Sequence, residues 1–277
     1  MYIRKFSDEE VDKIAHMYVG QKMAISKIAL AFKASNRTIA KVLHTLNVVR
    51  EVGKNCLYSC DETFFENIDN EQKAYWLGVM FADGNVSQNT SGTGQLFITS
   101  RDKDWLEQFK ETIQYTGKVL KETHKYYKKD IWKIHITSDR LFHDLCKIGC
   151  VPRKSNIIQF PNIKESLIHH FIRGYFDGDG TVNITKYMPN RTTLKSGFCS
   201  GSKKFLAELV KHVPTKYKSI KHYSDVYTVI YSVNDSYKLY NYMYSDATVC
   251  LERKKNKFEE YAKERRSTTI ISPSSVG

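Results

Sequence analysis

The feature that most limits how this chain can fold is a ten-residue pattern that it carries twice. One copy runs from Tyr75 to Gly84 and the other from Phe171 to Gly180; each is an apolar stretch closed by Asp-Gly. Small residues stand four apart within them, Gly78 and Ala82 in the first copy, Gly174 and Gly178 in the second. That spacing puts them on one helix face and lets two helix backbones approach closely. The two helices are therefore expected to pack together through these four residues. The glycines that follow, Gly84 and Gly180, suit the left-handed turn that ends a helix. The acids before them, Asp83 and Asp179, sit where a helix end carries partial negative charge. Abutting helices would bring the carboxylates together and compound that cost. A divalent cation between them relieves both, and hard oxygen ligands suit Mg²⁺. The pattern predicts a metal-dependent site.

Charge points to the partner. Lys and Arg number 43 against 30 acids, a net +13, as expected of a chain that binds a phosphate backbone. The sequence has no apolar run of membrane-spanning length, and Met1 leads into a polar helix start rather than a leader. The expectation is a soluble, non-secreted protein of the cytoplasm or another DNA-containing compartment, with no membrane partner. Of six cysteines, Cys56/Cys60 and Cys146/Cys150 are each separated by three residues, unlike paired zinc knuckles. They read as free thiols rather than as a metal site or disulfide frame.

Residues 1–55 read as a separate all-helical module. Ser7 and Glu10 form a capping-box start, after which Val11, Ile14, Ala15 and Tyr18 recur at helical spacing. Ile25, Ile28, Ala29 and Phe32 mark a second helix. Ser35 then caps a third, with Ile39, Val42, Leu43 and Leu46 inside and Arg37, Thr38, Lys41 and His44 outside. The module holds ten Lys/Arg against five acids. Three short helices with a basic third resemble a helix-turn-helix DNA reader, with Arg37, Thr38 and Lys41 as contacts. Residues 56–70 read as a linker.

From residue 71 the chain repeats itself once, over 71–160 and 161–266. The first half predicts strands at 95–99, 118–125 and 131–137 and helices at 102–115 and 139–148. The second predicts strands near 181–187, 194–199, 217–223 and 226–233, with helices at 203–212 and 235–244. Asp83 precedes Lys154 by 71 residues, and Asp179 precedes Lys254 by 75. Matched motifs at matched spacing imply a pseudo-two-fold duplication. Residues 267–277 read as a frayed tail.

At these residues the chain resembles the LAGLIDADG homing endonucleases in their single-chain, two-motif form. The resemblance implies an α+β fold, a duplicated αββαββα unit whose two antiparallel sheets form a saddle over DNA, with the helix-turn-helix domain added. It implies a monomer, without an obligate protein partner, that cuts both strands of a specific duplex and leaves short 3′ overhangs. It assigns catalysis to Asp83, Asp179, Lys154 and Lys254. It also assigns two or three Mg²⁺ ions (Mn²⁺ substituting) to Asp83, Asp179 and the carbonyls of Ala82 and Gly178. Polar strand and hairpin residues are candidate base readers: Gln88, Asn89, Gln95, Thr99, Asn183, Thr185, Arg191 and Lys195. Two other activities share this fold, a non-cleaving DNA-binding regulator and an intron-RNA maturase. The motifs differ in two places. Asp177 stands where the first motif has Phe81, and is expected to be a hydrogen-bonding or peripheral residue. Arg173 stands where it has Leu77, and is expected to point outward.

Overall fold

A computed structural model describes residues 6–21, 23–46, 58–90, 92–122, 130–188, 191–216 and 219–270. Arg4, Lys5, Lys22, Arg50, Lys54, Cys56, Tyr126, Tyr127, the His44 side chain and the tail from residue 271 lie outside the described residues. The chain divides into two units, Met1–Leu57 and Tyr58–Gly277.

The first unit holds α1 (Asp8–Val19), α2 (Ile25–Ala31) and α3 (Asn36–Thr45) around Val11, Ile14, Ile28, Ile39, Val42 and Leu43. The capping box forms as the sequence implies: the Glu10 N–H donates to Ser7 Oγ at 3.3 Å, and the Ser7 N–H to Glu10 Oε2 at 2.9 Å. Ser35 starts α3 by accepting from the Thr38 N–H at 3.1 Å. Arg37 and Lys41 are exposed on α3 and Thr38 is half-buried.

The second unit is the duplicated fold. Its first half comprises α4 (Glu71–Ala82), β1 (Asn85–Gln88), β2 (Gly94–Ser100), α5 (Lys103–Thr112), β3 (Leu120–Glu122), β4 (Ile131–Thr137) and α6 (Asp139–Ile148). The second comprises α7 (Ile168–Asp179), β5 (Thr181–Met188), β6 (Arg191–Ser200), α8 (Lys203–His212), β7 (Lys221–Tyr223), β8 (Val226–Tyr231) and α9 (Val233–Tyr244), and α10 (Glu252–Ile270) follows. The two sheets are antiparallel with equivalent orders, β1-β2-β4-β3 and β5-β6-β8-β7. Leu96, Ile98, Ile134 and Ile136 in one sheet, and Leu194, Phe198, Val229 and Tyr231 in the other, turn one face inward. By strand alternation the polar residues between them line the opposite face.

The motif helices are the axis of this unit, and their glycines are a steric requirement. A Cβ on Gly174 would lie 1.9 Å from the Tyr75 carbonyl oxygen, and one on Gly78 would lie 2.1 Å from that of Phe171. A Cβ on Gly178 would lie 2.4 Å from Ala82 Cβ. All four small residues thus sit at the contact between α4 and α7.

Four expectations need correction. Gly84 and Gly180 are not left-handed: among described glycines only Gly92 and Gly149 have positive φ, and Gly180 is extended (φ −72°, ψ 158°). Their role is room, because a Cβ on Gly84 would lie 2.6 Å from Met80 Cα and one on Gly180 2.3 Å from a Phe176 ring carbon. Arg173 does not point outward; it is fully buried, for reasons given below. In the stretch read as a linker, Phe64 and Phe65 are buried in the second unit's core, and the Asp61 N–H bonds to the Ile113 carbonyl at 2.8 Å. The stretch expected to fray from residue 267 begins inside α10, which is carried to Ile270 on the buried Phe258 and Tyr261. No helix among the described residues is long and apolar enough to cross a membrane.

Candidate functional site

The close approach of α4 and α7 sets their C-terminal ends side by side. Asp83 caps α4, its N–H returning to the Val79 carbonyl at 3.0 Å, and Asp179 is the last residue of α7. Asp83 Oδ2 lies 3.4 Å from where a Cβ on Gly178 would stand, so its carboxylate reaches across the interface to the residue before Asp179, whose acid feels the Asp83 charge. Asp83 opens to solvent and Asp179 is half-buried.

The two lysines complete the arrangement. Lys154 lies in a 3-10 turn, Lys154–Asn156, behind α6. Its buried ammonium donates to the carbonyl oxygens of Gly84 and Ala82, the latter at 3.4 Å. Lys254, in the first turn of α10, donates to the carbonyls of Phe176 (2.7 Å), Gly178 (2.7 Å) and Gly180 (2.6 Å). Each ammonium therefore sits among the carbonyls at and just past a helix end, where a cation is favoured. The protein itself offsets part of the repulsion that the sequence left uncompensated.

Part of it remains. Loss of water and the neighbouring Asp83 charge push the Asp179 acid up to about 6, against the pull of both lysines. Asp83 is also raised by desolvation, opposed by Lys254, Lys154 and Arg253. Burial pulls the Lys254 ammonium down to about 8, opposed by Asp177 and Asp83. The result is an oxygen-rich cluster in which the lysines offset the cost of two desolvated carboxylates only in part. Two carboxylates and helix-end carbonyls are the donor set of a hard divalent cation. The carbonyls of Ala82 and Gly178 already accept from lysine, and a carbonyl oxygen keeps a second lone pair for an ion. The residues present fit such an ion.

Each half also seats a thiol against its motif helix. The Cys199 S–H donates to the Asp179 carbonyl at 3.0 Å, and that of Cys150 to the Met80 carbonyl at 3.5 Å. Burial pushes them to about 11 and about 12, so both stay protonated. Cys146 and Cys250 are likewise free thiols.

The candidate readers divide by position. Gln95 and Thr99 share the outward face of the first sheet, where Gln95 Nε2 donates to Ser87 Oγ at 3.0 Å. Asn183, Thr185, Arg191 and Lys195 share the parity of the outward face of the second, with Asn183 opposite Lys195. Gln88 and Asn89 serve the hairpin turn, bonding to the Gly92 carbonyl (3.0 Å) and the Thr93 N–H (2.9 Å). The sequence reading missed Lys133 and His135, which flank the outward Phe97; His135 Nε2 lies 3.0 Å from Gln95 Oε1. It also missed Thr228 and Ile230 on β8, outward of Val229. The alternation from Ile131 to Thr137 and from Val226 to Tyr231 carried that signal.

At the far ends of the same two helices lies a buried ion pair. The Arg173 guanidinium donates to Glu71 Oε1 (2.5 Å), the Val249 carbonyl (3.0 Å), the Met243 carbonyl (2.8 Å) and His170 Nδ1 (2.9 Å). Those partners hold the charge inside. His169, His170 and Asp246 gather there closely enough to suggest a metal. Arg173 argues against one. A guanidinium only donates, so His170 Nδ1 must accept, which leaves the proton on Nε2 and a fixed cation beside the group. Asp177 is buried too, and accepts from the Tyr244 hydroxyl (2.6 Å), the Tyr75 hydroxyl (2.8 Å) and the Leu251 N–H (2.7 Å). It is a hydrogen-bonding residue rather than an open ligand.

Residues 70–148 match the family model described as LAGLIDADG-like domain. No curated protein matches the chain. Among solved structures, the fold is similar to that of the LAGLIDADG homing endonuclease I-GzeII in complex with its DNA target. That match has 12% identity and a TM-score of 0.50, over 73% of this chain and 93% of that one. It is similar as well to the homing endonuclease I-WcaI bound to its DNA recognition sequence, with 13% identity and a TM-score of 0.50, over 77% and 96%.

Proposed function

From a chain that carries a LAGLIDADG-like domain in the two-half LAGLIDADG fold, we infer a divalent-metal-dependent endonuclease that cuts both strands of duplex DNA at one long site. The observation that carries this reading is the pairing of Asp83 with Asp179 at abutting helix ends, each beside a buried lysine seated on the same carbonyls. A structural core gains nothing from two acids placed where desolvation and the neighbouring charge push one of them up to about 6. A site that must attract cations does.

Asp83, Asp179 and the carbonyl oxygens of Ala82 and Gly178 would hold Mg²⁺, with Mn²⁺ as a substitute. Bound there, such ions supply Lewis-acid stabilisation of the leaving 3′ oxygen and a water of lowered pKa. The chain's own residues act around them. Lys154 and Lys254 place fixed positive charge where a scissile phosphate gains negative charge in the transition state. Gln95, Thr99, Lys133 and His135 on one sheet, with Asn183, Thr185, Arg191 and Lys195 on the other, would meet base edges in the major groove. One chain supplies both halves, so a monomer suffices to cut both strands, leaving short 3′ overhangs. The first unit, as a helix-turn-helix module, would add affinity through Arg37, Thr38 and Lys41.

The test is selection of cleaved duplexes from a randomised library with Mg²⁺ or Mn²⁺. Recovery of one long sequence, cut by the natural chain and not by Asp83→Asn or Asp179→Asn, is expected. Binding without cleavage in the natural chain would favour a regulator instead.

A further inference from the structure

Asp177 is a fully buried acid to which the proposed reaction assigns no task. Its surroundings assign one. Oδ2 accepts from the Leu251 N–H at 2.7 Å and from the Tyr75 hydroxyl at 2.8 Å, and Oδ1 from the Tyr244 hydroxyl at 2.6 Å. Trp105 Nε1 in turn donates to the Tyr75 hydroxyl at 2.7 Å. Leu251 is the residue from which α10 starts, because its carbonyl accepts from the N–H groups of Lys254 (2.9 Å) and Lys255 (3.3 Å). The Lys254 ammonium then returns to the carbonyls of Phe176, Gly178 and Gly180, the residues around Asp177 itself. The chain of bonds is closed: acid, backbone N–H, first helical turn, ammonium, helix end. Arg173 braces the same segment two residues earlier through the Val249 carbonyl.

The first half has no equivalent. Phe81 occupies the place of Asp177, buried among the rings of Phe171 and Phe205, and Leu77 the place of Arg173. Lys154 stands instead in a short turn entered through Arg153 at φ 56°.

We propose that Asp177 is a positioning residue for Lys254: by holding the Leu251 N–H it fixes the first turn of α10, and with it the ammonium that serves the second half's scissile phosphate. The inference rests on the nuclease reading above. It adds that the two strands of the target depend on different supports, one on a buried carboxylate and the other not.

The experiment is single-turnover cleavage of a duplex labelled differently on each strand, with affinity measured separately in Ca²⁺. Lys254→Met and Lys154→Met first identify which strand each lysine serves. Asp177→Asn should then slow the Lys254 strand by about tenfold or more, the usual effect of removing a group that orients an active side chain. The Lys154 strand and DNA affinity should change less than about twofold. General loosening of the fold would slow both strands together, and that result overturns the proposal. Should Asp177→Asn fail to fold, Tyr244→Phe removes one of its donors and must slow the same strand. Equal slowing by that variant also overturns it. A natural chain that cuts neither strand removes the nuclease reading and this role with it.

Discussion

Substituting Gly174 by Ala tests the helix contact on which the site depends. The added Cβ would stand 1.9 Å from the Tyr75 carbonyl oxygen and 3.1 Å from the Val79 nitrogen. Ordinary carbon contacts begin near 3.5 Å, so the two helices must part by more than about 1 Å. Overpacking of this kind costs about 1–3 kcal/mol, and here the obstacle is backbone, which cannot swing aside as a side chain can. Ala gains back about 1 kcal/mol over Gly within a helix. At the upper end of that range, where a backbone obstacle belongs, the net loss is about 2 kcal/mol, which for a unit of this size lowers Tm by about 4–8 °C. Gly78→Ala meets the Phe171 carbonyl at 2.1 Å and should behave alike. Once one alanine has forced the helices apart, the second meets less resistance, so the double variant should lose less than the two single losses combined. Cleavage should fall in all three, since parting the helices separates Asp83 from Asp179. Gly92→Ala is the control: it carries a positive φ of 82° with nothing within 4 Å, and should leave cleavage intact. The assay is thermal unfolding followed by circular dichroism, with cleavage measured on the same samples. A Gly174→Ala protein as stable and active as the natural one would refute the reasoning.

Three more outcomes are expected. The raised Asp179 acid makes the metal-free protein lose stability as pH climbs from its ordinary value of 3.8 through about 6, because only the protonated form escapes the desolvation cost and the repulsion from Asp83. Asp179→Asn should therefore raise the metal-free stability at pH 8 by on the order of 1–2 kcal/mol, and divalent metal should stabilise the natural chain but not the variant. Equal unfolding midpoints at pH 8 would contradict this. Arg173→Met leaves Glu71 facing the helix pair without its cation and should cost about 3 kcal/mol in urea unfolding. A loss below about 1 kcal/mol would mean that the ion pair does not hold the helices. Deleting residues 1–57 should weaken DNA binding and flatten its dependence on salt; an unchanged slope would remove the DNA role given to that unit.

Much of this was legible because the signals are local and periodic. The helices at 139–148 and 203–212 follow from apolar spacing, and both form over those residues. The packing of Gly78 on α7 and of Gly174 on α4 followed from the size of a side chain alone. What escaped depends on distant partners. Arg173 reads as a surface residue until Glu71, 102 residues before it, and Val249, 76 after it, are known to meet it. Asp177 reads as a spare acid until Tyr75, Tyr244 and Leu251 arrive around it. Phe64 and Phe65 lie in a stretch without period, and α10 is too highly charged to show a clear apolar face although it buries Phe258 and Tyr261. The electrostatic argument at the helix ends anticipated a cost at Asp83 and Asp179 but not the manner of its compensation. The two lysines sit directly on the carbonyls, which no spacing rule expresses.

The claim that the rest depends on is that Asp83 and Asp179 together take a divalent cation. Anomalous scattering from crystals soaked in Mn²⁺ measures this directly. Manganese is expected within coordination distance of both carboxylates, and none there in the Asp83→Asn protein. Manganese bound only at His169 and Asp246, or none beside Asp83 and Asp179 at saturating Mn²⁺, would contradict it.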